Sequence, residues 1–282
     1  MEEKVEKCKK DIKILIISSC TKTKASEPNQ PPKLVKRDFK ELIETIVSTP
    51  NESWHNRIPD WLQDSFLKPA IERYLGQQHT NAVEGLNTFR KKGISADFNI
   101  ISAGYGLIKE KDKIADYTVT FSSTDDFPTT EHIIDWSRRL KIRVKAVEAI
   151  SGYDIVFFLL GDEYLKALNF EASFSDEELE SLTGKKLVFF IPTKGLKTKK
   201  GKITKKAKEN IGALMTGKTF ACFVNSSAFN GINGLGGEIP RKGCMLKSFA
   251  NNVELSHLEK IRDCTEPQEV EKIITKLILH SK

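Results

Sequence analysis

Five short runs rich in β-branched and aromatic residues constrain the fold more than any other feature of the chain. They are Ile12 to Ser19 (IKILIISS), Phe98 to Ser102 (FNIIS), Asp154 to Leu160 (DIVFFLL), Lys186 to Ile191 (KLVFFI) and Thr219 to Val224 (TFACFV). Each is mostly continuous in apolar residues rather than alternating, the pattern of a strand covered on both faces. Segments of helical spacing separate them. The stretch 34 to 47 carries Leu42, Ile43, Ile46 and Val47, and Ala82 to Phe89 places Ala82, Val83, Leu86 and Phe89 on one face before Gly93, a C-terminal stop. One long amphipathic stretch runs from Glu131 to Ile150. Ser175-x-x-Glu178 and Thr265-x-x-Gln268 fit capping boxes, the second opening a final helix with Val270, Ile273, Ile274, Leu277 and Ile278 aligned. This alternation predicts an α/β fold with a mostly parallel or mixed sheet wrapped by helices, in a single domain over 1–282. Residues 51–78, rich in Trp, Pro and Gln, read as a candidate inserted lobe.

Ligands of such sheets bind beyond the carboxyl ends of the strands. Three loops therefore carry the functional expectation: Ser18 to Lys24, Ser102 to Ile108 and Gly161 to Tyr164.

Charge adds a fourth element. The net charge of +7 is concentrated in 194–208 (KGLKTKKGKITKKAK), whose eight lysines stand without an acid; with them set aside the chain sums to −1. A cationic stripe suits a polyanion, since each neutralised phosphate releases counterions. A solvated lysine loop is the alternative. The five cysteines are scattered, without a C-x-x-C pair, which argues against a zinc site or disulfide framework and for reduced thiols. Residues 1–10 are charged throughout, and no later run is apolar for long enough to span a bilayer. The expectation is a cytoplasmic protein with no membrane partner, no metal and no cofactor.

The first loop, Ser18-Ser19-Cys20-Thr21-Lys22-Thr23-Lys24, offers hydroxyls and two lysines to a phosphate or carboxylate but lacks the glycines of a Walker loop. Cys20 is either a nucleophile or a packed thiol. In the second loop two glycines flank Tyr105, which suggests a tight turn presenting a ring at the crevice. Asp112, Asp116 and Tyr117 follow. Carboxylates near aromatic rings suit a site that holds a nucleobase and activates water, although tyrosines that pack and aspartates that cap turns explain them equally. In the third loop Asp162 is the expected N-cap of a short helix 165–168, with Glu163 and Tyr164 turned to the crevice. The glycine-rich stretch 231–237 is a weak phosphate-loop signal and more often a turn.

Four segments in order, ILIISSCTKTK, ISAGYGLIKEKDKIADYTVTF, LLGDEYLKAL and IPTKGLKTKKGKITKKAKENIGALM, resemble landmarks of the YaaA peroxide-stress family. They bracket Ile12 to about Met215. The resemblance implies a YaaA-like α/β fold with a basic cleft and a basic helical segment near 194–215. It also implies a role in DNA binding and protection under oxidative stress, and related domains occur in enzymes that modify 7-deazaguanine bases. By matching position, Lys22 or Lys24, Tyr105, Asp112, Tyr117, Asp162, Glu163, Tyr164, Lys205 and Lys206 would line the cleft. The family's Pro-Tyr-Arg is here Asp116-Tyr117-Thr118, which loses a cation and gains a carboxylate.

Three functions follow as expectations. The first is a nucleic-acid-binding protein, DNA foremost, in which Lys199, Lys200, Lys205 and Lys206 hold the backbone and the crevice receives a base or nucleotide through Lys22, Lys24, Ser102, Tyr105, Asp116, Tyr117, Asp162 and Tyr164. The second is an enzyme acting on a nucleobase or N-glycosidic bond, with Asp112, Glu163 and Cys20 as candidate catalytic groups. The third is a small-molecule phosphate binder with an incidental lysine loop.

Overall fold

Strands and helices alternate through the computed structural model, which describes residues 11–21, 24–25, 33–48, 66–191, 204–225, 229 and 242–279. The amino-terminal part holds β1 (Lys13–Ser19), α1 (Lys36–Ser48), β2 (Lys68–Pro69), α2 (Ala70–Arg73) and α3 (Gln77–Lys91). Next come β3 (Ser95–Ser102), β4 (Gly106–Lys109), β5 (Lys113–Ile114), α4 (Thr130–Arg139) and α5 (Ile142–Ser151). The middle continues with β6 (Ile155–Leu159), α6 (Asp162–Leu168), α7 (Asp176–Leu182), β7 (Lys186–Ile191), α8 (Lys205–Ile211) and β8 (Ala221–Asn225). Three helices, α9 (Lys242–Asn252), α10 (Leu255–Asp263) and α11 (Pro267–Leu279), close the described chain.

The central sheet is mixed, with order β4-β3-β1-β6-β7-β8. All neighbouring pairs are parallel except β3 with β4. Counted among themselves, the parallel strands run 2-1-3-4-5. The chain starts at β1, moves outward to β3, then returns past β1 to β6, so the direction of winding reverses between β1 and β6. That reversal opens a crevice beyond their carboxyl ends. The short strands β2 and β5 form a separate antiparallel pair.

Paired phenylalanines explain why the sheet is buried on both faces. Side chains alternate along a strand. Phe157 accordingly packs with Phe89 of α3 and Phe249 of α9, whereas Phe158 turns the other way toward Phe170, just after α6. In the neighbouring strand Phe190 stacks on Phe157 and Phe189 on Phe158, the latter at 4.2 Å between ring centres. Each F-F step therefore supplies one ring to each layer of helices.

Several sequence expectations hold and others need correcting. Gly93 follows α3 at φ +73, and the Ser175 capping box forms with Glu178. The 131–150 stretch is two helices, broken where Lys141 adopts φ 51. The last helix begins at Pro267, with the Glu266 carbonyl accepting its first N–H bonds, rather than from a Thr265 box. Proline suits that first position because its missing N–H has no intrahelical partner there. Gly161, not Asp162, caps α6. Residues 66–78 hold β2, α2 and the start of α3, and hydrogen-bond into the main body through Ala70 N to Asp112 O and Ile71 N to Glu110 O. The remainder of the expected lobe, 51–65, lies outside the described residues, as does 231–237.

The largest correction concerns Ser102 to Ile108. These residues form the tight connection and second strand of a β-hairpin, with Ser102 paired to Gly106 and Ile100 to Ile108. Gly106 takes φ +75, and a Cβ there would lie 3.1 Å from the Leu140 carbonyl oxygen, so glycine is needed both for backbone and for space. Trp136 of α4 donates its indole N–H to Ala103 O at 2.7 Å, fastening the turn to the α4–α5 layer.

Candidate functional site

A cleft of about 480 Å³ sits where the winding reverses. Ser19 and Cys20 enter from the end of β1, and Gly161, Glu163 and Tyr164 from the exit of β6. Thr118, Thr120 and residues 122–125 form a hydroxyl-rich side with Asp125, while Gln78 of α3 and Lys242 of α9 also line it. Hydroxyls, an amide, a thiol, two carboxylates and one amine give the lining both donors and acceptors, the equipment for orienting a polar ligand of nucleoside size.

Cys20 extends the pairing of β1, its N–H bonding to Ile101 O at 2.9 Å, which fixes the backbone beneath the thiol. The thiol lies 2.9 Å from the Tyr164 hydroxyl, which is also 3.0 Å from Thr120 Oγ1. Phe121 packs edge-on against the Tyr164 ring. Burial, reinforced by Cys20, holds the Tyr164 phenol well above its ordinary pKa, so it is a neutral hydrogen-bonding group. Lys242 is pulled below the usual lysine range by burial, opposed by Asp162 and Glu163 at the start of α6.

Behind the thiol is a second buried chain of hydroxyls. Ser102 Oγ accepts the N–H groups of Gly104 and Tyr105 at 3.1 and 3.0 Å, and lies 2.7 Å from Tyr117 OH. Tyr117 OH is in turn 2.6 Å from Tyr74 OH. Burial also raises both phenols, again with Cys20 adding to the shift. Lys24, bridged to Tyr74 through the backbone, places its Nζ 4.1 Å from the centre of the Tyr117 ring. Burial lowers the Lys24 pKa, opposed by Cys20 and Asp116.

The structure brings only part of the expected site together. Cys20, Glu163 and Tyr164 share the cleft. Lys24, Ser102 and Tyr117 stand behind it. Asp116 is engaged elsewhere, with Oδ2 2.9 Å from Lys33 Nζ and Oδ1 accepting Tyr117 N–H. Asp112 closes the turn after β4, its Oδ2 accepting Lys109 N–H at 2.8 Å, and is not among the cleft residues. Tyr105 presents no ring to the crevice: it is 1% exposed, packed edge-on against Phe39 and Tyr117, with burial raising its phenol pKa. Lys205 opens α8 and is exposed. The side chain of Lys206 lies outside the described residues, as do Lys22, Lys199 and Lys200.

Gln78, Tyr74, Thr118, Thr120, Lys242 and residues 122–125 were not anticipated. The run Thr120 to Asp126 (TFSSTDD) carried a signal, a density of hydroxyls shortly after Tyr117. Among the described residues no group of three or more His, Cys, Asp or Glu could hold a metal ion, and no helix is long and apolar enough to cross a membrane. Fold and site together define a doubly wound α/β protein with a polar cleft at its switch point. Neither protein-family models nor curated proteins give a match to this chain.

Proposed function

We propose that the chain binds nucleic acid, with DNA the foremost candidate, and that the cleft between β1 and β6 receives a base or nucleotide while the lysine-rich 194–208 segment neutralises the backbone. One observation carries the reading. Because β1, β6, β7 and β8 are parallel, the chain leaves β7 at Ile191 along the same edge of the sheet as the cleft, and Lys205 begins the helix that returns toward β8. Of the eight lysines, Lys205 is the one whose side chain is described, exposed at the start of that helix. Resemblance to YaaA-like proteins supports the same partner and a role in DNA protection under peroxide stress. Replacing Lys199, Lys200, Lys205 and Lys206 by glutamate abolishes a gel shift that weakens with salt in the unaltered protein. An unchanged shift contradicts the proposal.

A second reading, chemistry on a nucleobase or its glycosidic bond, is favoured by the joint presence of Glu163 and Cys20 in the cleft. Glu163, rather than Asp112, is then the candidate general base. Turnover of a modified nucleoside is lost in Glu163→Gln and kept in Asp112→Asn; the reverse pattern removes Glu163 from the role.

A further inference from the structure

Three half-buried side chains of the cleft have a fixed hydrogen-bonding sense that the protein itself does not use up. Gln78, in the first turn of α3, donates from Nε2 to the carbonyl of Leu159, the last residue of β6, at 3.0 Å. A carbonyl only accepts, so the amide nitrogen must face it and Oε1 turns away as an acceptor. Glu163, in the first turn of α6, is a second acceptor, and Lys242, the first residue of α9, only donates. Among the described residues Gln78 Oε1 accepts no hydrogen bond, and neither Glu163 nor Lys242 makes a hydrogen bond or ion pair. Helix α9 brings Lys242 to the Gln78 side of the cleft, approaching α3 so closely that a Cβ on Gly243 would collide with the Gln78 carbonyl. Asp125 is exposed, and the serine and threonine hydroxyls of the lining donate or accept as a ligand requires, so they impose no sense of their own.

We infer that the cleft selects a heterocycle with an exocyclic amino group beside a ring acceptor, the pattern of cytosine and adenine, and that Gln78 is the specificity-determining residue that reads it. The amino N–H groups satisfy Gln78 Oε1 and Glu163, and the neighbouring ring nitrogen accepts from Lys242. Uracil and thymine present the opposite pattern, a carbonyl oxygen in place of the amino group and a single N–H in place of the ring acceptor. They leave one of the two protein acceptors unpaired and set an N–H against the ammonium. A site built on hydrogen bonds rejects such a ligand far more sharply than an apolar pocket rejects a change of size. The anchored amide enforces the choice, because turning its nitrogen toward a uracil oxygen would break the bond to Leu159. The choice of a nucleobase rests on the nucleotide reading; the sign of the preference rests on the lining.

Ligand pairs that differ only in this pattern test it. With the full chain, a short oligo(dC) binds about tenfold or more tightly than oligo(dU) of the same length at the same salt, where the backbone contribution cancels. CMP against UMP puts the same question to a free nucleotide. Gln78→Met removes the anchored acceptor and brings the oligo(dC) to oligo(dU) ratio to within about threefold. Glu163→Gln breaks no hydrogen bond among the described residues, so its melting temperature matches the unaltered protein, and it lowers the ratio because the new amide can offer its NH₂ to the uracil oxygen. Equal affinities within both ligand pairs overturn the inference, and retained oligonucleotide binding then leaves the nucleic-acid reading standing. An unchanged ratio in both variants overturns it as well. A preference confined to CMP over UMP supports the inference and contradicts nucleic acid as the partner. Failure of all four ligands to bind overturns both readings.

Discussion

The ends of β1 and β3 lie side by side in one sheet, both carry serine and glycine or cysteine after an apolar strand, and they do opposite things. Past β1 the chain borders an open cleft at Ser19 and Cys20. Past β3 it folds straight back as β4, and Tyr105 disappears into the interior. The difference is position relative to the reversal of winding. On its β6 side, β1 faces a neighbour reached only after the winding has reversed, and their connections diverge there. β3 instead has an antiparallel neighbour reached through the three residues Ala103, Gly104 and Tyr105, which pairs its backbone and fills the space with its own turn. A strand exit becomes a site only where the topology keeps the next element from covering it.

Substitutions can break or sharpen this contrast. The largest effect belongs to the closed end: Tyr105→Ala should cost about 3–5 kcal/mol in urea unfolding, the range for deleting a buried aromatic ring, and leave ligand contacts intact. Comparable loss on truncating Glu163 instead would show the contrast to be misplaced. A smaller effect comes from His79, packed edge-on against Tyr74 and Phe98, with Nε2 bonding to Ile71 O. Burial holds its pKa below the ordinary 6.5. The folded state disfavours the imidazolium, so stability present above pH 6.5 is lost as pH falls toward the folded value, and His79→Leu should flatten that part of a pH–stability curve. At the open end, Tyr164→Phe removes one buried hydroxyl bridging Cys20 and Thr120, and should cost only about 1 kcal/mol while measurably altering ligand affinity. Asp112→Asn is the smallest change, about 0.5 kcal/mol for a weakened turn, with affinity unaffected in a binding titration.

Much of the sheet was legible because its signals are local. The F-F steps of DIVFFLL and KLVFFI can satisfy both helical layers only as buried strands, and that is where Phe157, Phe158, Phe189 and Phe190 lie. The hairpin was not legible, since SAGYG reads equally as a binding loop and as a turn, and β4 is only four residues long. Helix α9 was obscured for another reason. Its packing depends on close approach to α3, where a Cβ on Gly243 would collide with the Gln78 carbonyl, and such complementarity has no one-dimensional pattern. The cleft was half legible. Cys20, Glu163 and Tyr164 follow from the strand-exit rule, but Thr120 meets Tyr164 across 44 residues, and Lys242 reaches the site from a helix still further along.

Backbone amide chemical-shift mapping with a short single-stranded oligonucleotide tests the placement of the site most directly. Perturbations concentrated at Ser19, Cys20, Thr120, Gly161, Glu163 and Tyr164, and absent from Gly104 to Leu107, are the predicted result. Shifts centred on the hairpin, or none in either region at saturating oligonucleotide, would contradict it.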